Sequence, residues 1–325
     1  GPSNGQSLGI GTYTVKYEAI DADDNESEMS FTITVSDPDA PVITCAGYTN
    51  SGTPFEADAS AGVCFYTVPD AGLDPTVTDN CSYTLTNDFD GTSTLQGKQL
   101  SVGEYPIAWT AEDGSGNSAT CTIYISITDT QNPTFDITSG HFNRDTDPGK
   151  CYFTVPGPEF DPTNIDDNCD IATIEYEITG GAYGATPLTG SNSLSALQIP
   201  PHANDYSVVW TVTDENGLST VSTPFTINVS DNQAPSFTCY GNQTRDALAG
   251  TCEYTITGTE LDPKSLVDNC DAEGDIILSY TIDGTTGAGT TLDGTTLAPG
   301  TYTIVWTATD TKGNSKSCNF NLTIS

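Results

Sequence analysis

The chain has 325 residues, with 44 acidic side chains against 8 basic ones and a formal charge of −36 at pH 7. Such acidity opposes nucleic acid and anionic lipid, which need Lys and Arg to displace counterions, and leaves divalent metals and polycations as electrostatic partners. No apolar run reaches membrane-spanning length, so direct membrane insertion is not expected of this segment; ten cysteines without a CxxC or Cys/His cluster argue against a zinc site and for an oxidising compartment.

Alternating Thr, Val, Ile and Tyr in short runs, broken by Gly, Asn, Asp and Pro, predict strands and an all-β sandwich without a long helix. Residues 1–37 hold only the last two strands of a truncated unit, and its opening Gly1-Pro2 reads as the scar of a protease cleavage. A lone hairpin is marginal in water, so it is expected to pack on a neighbour or another chain. In the next unit strands are expected at 42–45, 64–68, 82–86, 105–111 and 120–127, with equivalents in the units that follow. The expected division is a remnant at 1–37 and complete repeats at 38–129, 130–231 and 232–325.

The strongest local signature is Leu100, Gly103, Tyr105, Ile107 and Trp109, which returns as Leu297, Gly300, Tyr302, Ile304 and Trp306. The remnant repeats it as Leu8, Gly11, Tyr13, Val15 and Tyr17, and the third unit keeps Tyr206, Val208 and Trp210 behind an altered turn. Period two puts these side chains on one face, as core residues. A Gly-x-Tyr opening the penultimate strand resembles the tyrosine corner of immunoglobulin-like sandwiches, where the phenol bonds back to upstream backbone. The minority reading makes the Trp residues a sugar-stacking platform.

Cysteines provide a second register. Cys45, Cys64, Cys81 and Cys121 return as Cys239, Cys252, Cys270 and Cys318, whereas the unit between them has only Cys151 and Cys169. Aligned on Pro41, Pro133 and Pro235, the positions of Cys45 and Cys121 become Ile137 and Thr223, so both partners vanish together. If every cysteine pairs within its own repeat, the bonds are Cys151–Cys169, Cys64–Cys81, Cys252–Cys270, Cys45–Cys121 and Cys239–Cys318, leaving no thiol for catalysis.

P-x-[IF]-x-C at the start, DNC in the middle, Y-x-[IV]-x-W-T-A-x-D-x-x-G-N and a cysteine in the last strand together resemble the HYR (hyalin repeat) domain. The resemblance runs through nearly all of the chain. Tandem copies of this acidic, Thr-rich form look like those of very long Bacteroidota surface proteins, including mobile adhesins used in gliding motility. It implies tandem immunoglobulin-like domains in an elongated array, on the cell surface, with a role in extracellular adhesion. The third unit departs from the pattern: it lacks one cysteine pair and has Asp214-Glu215-Asn216-Gly217 in place of D-x-x-G-N.

Three sets of oxygen ligands recur in register. The first is the [LF]DP…DNC loop, with Asp74 and Asp79, Asp161 and Asp167, and Asp262 and Asp268, beside Asn80, Asn168 and Asn269. The second is the turn after the Trp strand: Asp21, Asp23 and Asn25; Asp113 and Asn117; Asp214 and Asn216; Asp310 and Asn314. The third lies between repeats at Asp37 and Asp39, Asp129 and Asn132, and Asp231 and Asn232. In an immunoglobulin-like fold one member of each set would converge at every junction. Hard oxygens clustered at a rigid corner suit Ca2+. The plain alternative is that Asx and Gly build metal-free turns, against which stands the mutual repulsion of crowded carboxylates.

Catalytic motifs are missing: there is no G-x-S-x-G elbow and no HExxH, and His141 and His202 lack repeated partners. Acids that recur with the fold argue against a single active site. Two functions remain. One is a disulfide-linked, Ca2+-stiffened stalk of an extracellular adhesin whose partners are its neighbouring repeats and a surface polysaccharide or cell-surface protein. The other is a set of carbohydrate-binding accessory modules of a secreted protein.

Overall fold

A computed structural model describes residues 5–287 and 289–325, so Gly1-Pro2, read above as a cleavage scar, lies outside the described residues. The chain is all-β, and its only helical pieces among those residues are three single turns of 3-10 helix. It divides into two compact units, Gly1–Asn132 with Asp167–Asp170, and Pro133–Asp166 with Ile171–Ser325.

In the first unit, β1 (Gly11–Ile20) and β2 (Glu26–Val35) form an antiparallel hairpin. The strands that follow are β3 (Val42–Thr44), β4 (Phe55–Asp58), β5 (Phe65–Thr67), β6 (Thr76–Thr78), β7 (Tyr83–Asn87), β8 (Gln99–Ser101), β9 (Gly103–Asp113) and β10 (Ser118–Thr128). One sheet runs β4-β10-β9-β7; facing it are the short pairs β3-β6 and β5-β8. β4 runs parallel to β10 and was not foreseen: its FEAD carries one turn of alternation, too little to announce a strand. The second unit repeats this plan twice, with His141–Asp145 parallel to Phe225–Ser230 and Gln243–Arg245 parallel to Ser315–Ile324.

Each sandwich closes over its tryptophan. Trp109, Trp210 and Trp306 are at most 1% exposed, which removes them as a sugar platform. The indoles of Trp210 and Trp306 donate to the carbonyls of Phe160 and Leu261, the apolar residues of the [LF]DP motif. Buried Leu73 is the corresponding residue of the first complete repeat, although the indole N–H of Trp109 is buried there without an acceptor. The three large apolar clusters draw on residues 43–127, 135–229 and 237–324 respectively.

The tyrosine corner is present in every copy. Tyr13 donates to the Gly9 carbonyl at 2.9 Å, Tyr105 to Ser101 at 3.0 Å, Tyr206 to Pro200 at 2.7 Å and Tyr302 to Ala298 at 3.0 Å. The preceding glycine is needed where the chain turns into the strand, since Gly103 has φ of 143°, a conformation that penalises a side chain. The hairpin departs from expectation in one respect. Tyr17, the counterpart of the tryptophans, is 58% exposed and stacks on Phe31, because among the described residues the β1-β2 hairpin is a two-stranded sheet with no further strand paired to it.

The disulfides correct the sequence reading in part. Cys45–Cys121 and Cys239–Cys318 form as expected, tying the first strand of a sandwich to its last. Cys64, however, bonds Cys169, and Cys151 bonds Cys270, while Cys81 and Cys252 remain thiols. The within-repeat bonds Cys64–Cys81, Cys151–Cys169 and Cys252–Cys270 are therefore absent. The error lay in assuming that pairing stays within a repeat: a DNC loop meets the cysteine turn of the repeat before it in sequence.

Tyr206→Phe is expected to destabilise the fold by about 1 kcal/mol, by orphaning a carbonyl acceptor. The midpoint of urea unfolding would measure it. Proteolysis without reduction should also release peptides joining Cys64 to Cys169 and Cys151 to Cys270.

Candidate cation site

Each linker aspartate begins an Asx turn. Asp37 Oδ1 accepts the amide of Asp39 at 3.0 Å, and Asp129 and Asp231 do the same for Gln131 and Gln233. The same oxygen takes the side-chain amide of the DNC asparagine: Asn80 on Asp37 at 3.2 Å, Asn168 on Asp129 at 3.1 Å and Asn269 on Asp231 at 3.0 Å. Each DNC aspartate turns one oxygen back to its own loop, where Asp79, Asp167 and Asp268 accept the amides of Cys81, Cys169 and Cys270.

The turn after the Trp strand completes the arrangement. Asp113 Oδ1 takes the amides of Ser115 and Asn117, and its Oδ2 takes the Asn117 side chain, which also donates to the carbonyls of Asp37 and Asp39. Asp310 and Asn314 repeat this geometry, with Asn314 donating to the Asp231 carbonyl. One carboxylate from each recurrent set is thereby delivered to one point. Asp37, Asp79 and Asp113 each offer an oxygen within 4.8 Å of the others, as do Asp231, Asp268 and Asp310.

Within both clusters some oxygens have no donor. Oδ2 of Asp37, Oδ1 of Asp79, Oδ2 of Asp231 and Oδ1 of Asp268 are buried and accept no hydrogen bond. A buried anionic oxygen without a donor is costly unless a cation meets it. The donor set fits a hard cation: every atom offered is oxygen, and two linker aspartates are 7% and 3% exposed.

Residues 36–127 match the HYR domain family. Over 337 aligned positions the chain is 23% identical to hyalin of Strongylocentrotus purpuratus, with 98% of this chain covered. The chain spans 24% of that relative's length. Among solved structures it resembles Drosophila N-cadherin EC1-3, at 15% identity and a TM-score of 0.35, covering 84% of this chain and 97% of the other. It also resembles mouse cadherin-23 EC22-24, at 16% identity and a TM-score of 0.28, covering 88% and 99%. Within the HYR-matched segment lie Asp37, Asp79 and Asp113, the whole first cluster.

Other sequence candidates have different surroundings. Asp74 is bonded by the Leu95 amide and the Thr94 hydroxyl, Asp161 by those of Leu194 and Ser193, and Asp262 by those of Leu292 and Thr291. Both oxygens are occupied each time, so the [LF]DP aspartate clamps a distant loop to the core. Asp21 closes the β1-β2 turn through Asp23 and Asn25 on an exposed surface. Asp129 and Asp167 lie beside Cys169, but that sulfur is committed to Cys64 and supplies no thiolate. Asp214 bonds the amides of Asn216 and Leu218, and its Oδ2 is buried without a donor because Leu218 stands where Asn117 and Asn314 supply an amide. His141 and His202 serve local structure, on Thr226 and Asn143 and on the Asn204 amide.

Charge inside the first cluster is uneven. The neighbouring Cys81 thiol, with hydrogen bonds from the Asp39 amide and Asn80, holds the Asp37 carboxyl below its ordinary range, and the Asn117 amide does the same for Asp113. The neighbouring Asp37 carboxylate in turn pushes the Cys81 thiol up to about 11. Lowered carboxyl values mean stability that is complete above the ordinary aspartate pKa of about 3.9 and lost as pH falls through the folded values. Urea midpoints measured from pH 5 down to pH 2 should fall accordingly, and Asp113→Asn should flatten that dependence.

Proposed function

We propose that the chain is a non-enzymatic stretch of the extracellular repeat region of a large surface adhesin, in which Ca2+ stiffens the repeat junctions. The observation that carries the calcium reading is the pair of three-carboxylate clusters, each holding two buried oxygens without a donor. Asp37, Asp79 and Asp113 would hold one ion, and Asp231, Asp268 and Asp310 another. Bound Ca2+ would supply positive charge to oxygens that now repel one another.

Calcium suits the clusters better than magnesium. It accepts six to eight oxygens in irregular geometry, whereas Mg2+ demands a near-ideal octahedron and keeps several waters. Each set unites a linker, a DNC loop and the turn after the Trp strand, so an ion there would cross-link three segments that otherwise meet through hydrogen bonds. Proposed boundaries are 1–37, 38–129, 130–231 and 232–325. The match to the HYR domain and the similarity to hyalin support a cell-surface, adhesive setting. Within it, a stalk of the kind found in Bacteroidota gliding adhesins, presenting a contact for polysaccharide or another surface protein, is the specific form we favour.

Binding only to the folded state raises stability by RT ln(1 + [L]/Kd). After chelation, the melting temperature should rise by several degrees across a Ca2+ titration and move less with Mg2+. Asp37→Asn combined with Asp231→Asn should remove most of the rise. No shift at millimolar Ca2+ would leave the clusters as metal-free turns and the calcium reading would fail.

A further inference from the structure

Two thiols remain, and each lies in a structure that is paired elsewhere in the chain. Cys252 follows Gly250 in an AGTC turn; Cys64 and Cys151 follow Gly62 and Gly149 in AGVC and PGKC turns. The three turns share a left-handed glycine and the same backbone hydrogen bonds. Their glycines have φ of 75°, 71° and 91°, and the amides of Val63, Lys150 and Thr251 donate to the carbonyls of Ser60, Asp147 and Leu248. Ser60, Asp147 and Leu248 in turn donate their amides to Phe65, Tyr152 and Glu253.

In the first two turns a DNC loop is docked. Asn168 donates to the Val63 carbonyl and Asn269 to that of Lys150, while Gln131 and Gln233 of the linkers accept the amides of Gly62 and Gly149. The sulfurs then meet with Cα atoms 4.7 Å apart at both junctions, inside the ordinary disulfide range. The Cys81 loop is built like those of Cys169 and Cys270: Asn80 on its linker aspartate, and the cysteine amide on the DNC aspartate. Residues 1–37 carry no cysteine. One difference is local: Cys252 has φ of 53°, whereas Cys64 and Cys151 are outside the left-handed region.

We propose that Cys81 and Cys252 are the two complementary ends of a repeat-to-repeat disulfide series, Cys252 accepting a DNC-loop cysteine and Cys81 accepting a cysteine from a Gly-x-Cys turn of another repeat of this type. The bond forms by exchange with a disulfide oxidant such as oxidised glutathione. One protein thiolate attacks it, releasing one glutathione thiolate; the second protein thiolate attacks the mixed disulfide and releases the other. Two protein thiols are oxidised, one oxidant disulfide is reduced, and the two thiol protons pass to the two released glutathione thiolates. The pairing is heterologous, so it joins unlike ends and does not close on a two-fold axis. The other repeat can belong to a second copy or to an adjoining stretch of the same polypeptide.

The test uses the whole chain and two single variants, Cys81→Ser and Cys252→Ser, in a glutathione redox buffer, with thermal melts verifying that both variants fold. Mixed one to one, the variants should give a disulfide heterodimer at least about tenfold more abundant than either homodimer, with a Cys252–Cys81 peptide after digestion. The unmodified chain should form oligomers beyond the dimer, increasing with protein concentration. A chain lengthened after residue 325 by a second copy of residues 232–325 should instead link Cys252 to the new DNC cysteine within one molecule, independently of concentration, identifying the adjoining repeat as the preferred source. Homodimers as abundant as the heterodimer, or two alkylatable thiols left at both positions in mixture and lengthened chain alike, would overturn the proposal.

Discussion

The hydrogen bond from a DNC asparagine to a linker aspartate organises everything around it. Asp37, Asp129 and Asp231 each accept that amide while closing their own turn, so the linker is held by the loop it precedes. Removing water from such a carboxylate is costly unless its lone pairs are met. The fold meets one oxygen with amides; at Asp37 and Asp231 it leaves the second without a donor. Two consequences share this origin: a cluster of oxygens suited to a cation, and a cysteine held at a fixed place beside it.

The [LF]DP and DNC motifs look alike in sequence, as acidic loop signals a few residues apart, but they do different work. In the former, Leu261 fills the core and lends its carbonyl to Trp306, while Asp262 spends both oxygens on Thr291 and Leu292. In the latter, Asp268 spends one oxygen on Cys270 and directs the other toward Asp231 and Asp310. Counting carboxylates does not separate these roles; what separates them is whether nearby hydroxyls and amides already satisfy both oxygens.

Much of the fold was legible because it is written in period two. Tyr105, Ile107 and Trp109 announced a strand and its inward face, and the tyrosine corner recurred in all four copies, behind Gly-x-Tyr in three and behind Asn204-Asp205 in the other. Convergence of one carboxylate from each acidic set was legible at two junctions, since it follows from where the loops of a sandwich lie. Short strands such as Phe55–Asp58 carried too few residues to show alternation. Cysteine pairing failed for a different reason: the missing pair at Ile137 and Thr223 identified one bond class correctly but was silent on whether the remaining cysteines look inward or to the next repeat. The departure of the third repeat was legible too: it loses the D-x-x-G-N form, so Leu218 stands where Asn117 and Asn314 close the turn in the other copies.

The crossing disulfides also decide how the chain bears tension. Along the covalent path a pull enters at Cys45, crosses to Cys121, runs along the chain to Cys151, crosses to Cys270, returns along the chain to Cys239 and crosses to Cys318. The third repeat lacks the long bond of its neighbours, yet most of it lies inside the Cys151–Cys270 loop, a separation of 119 residues that the covalent shortcut withholds from extension. Slack of about 400 Å, at roughly 3.4 Å per extended residue, is thereby denied to the pulled chain. Reduction would release the length that these loops withhold and let the sandwiches unravel one after another, so the redox state of its surroundings sets the compliance of the polypeptide.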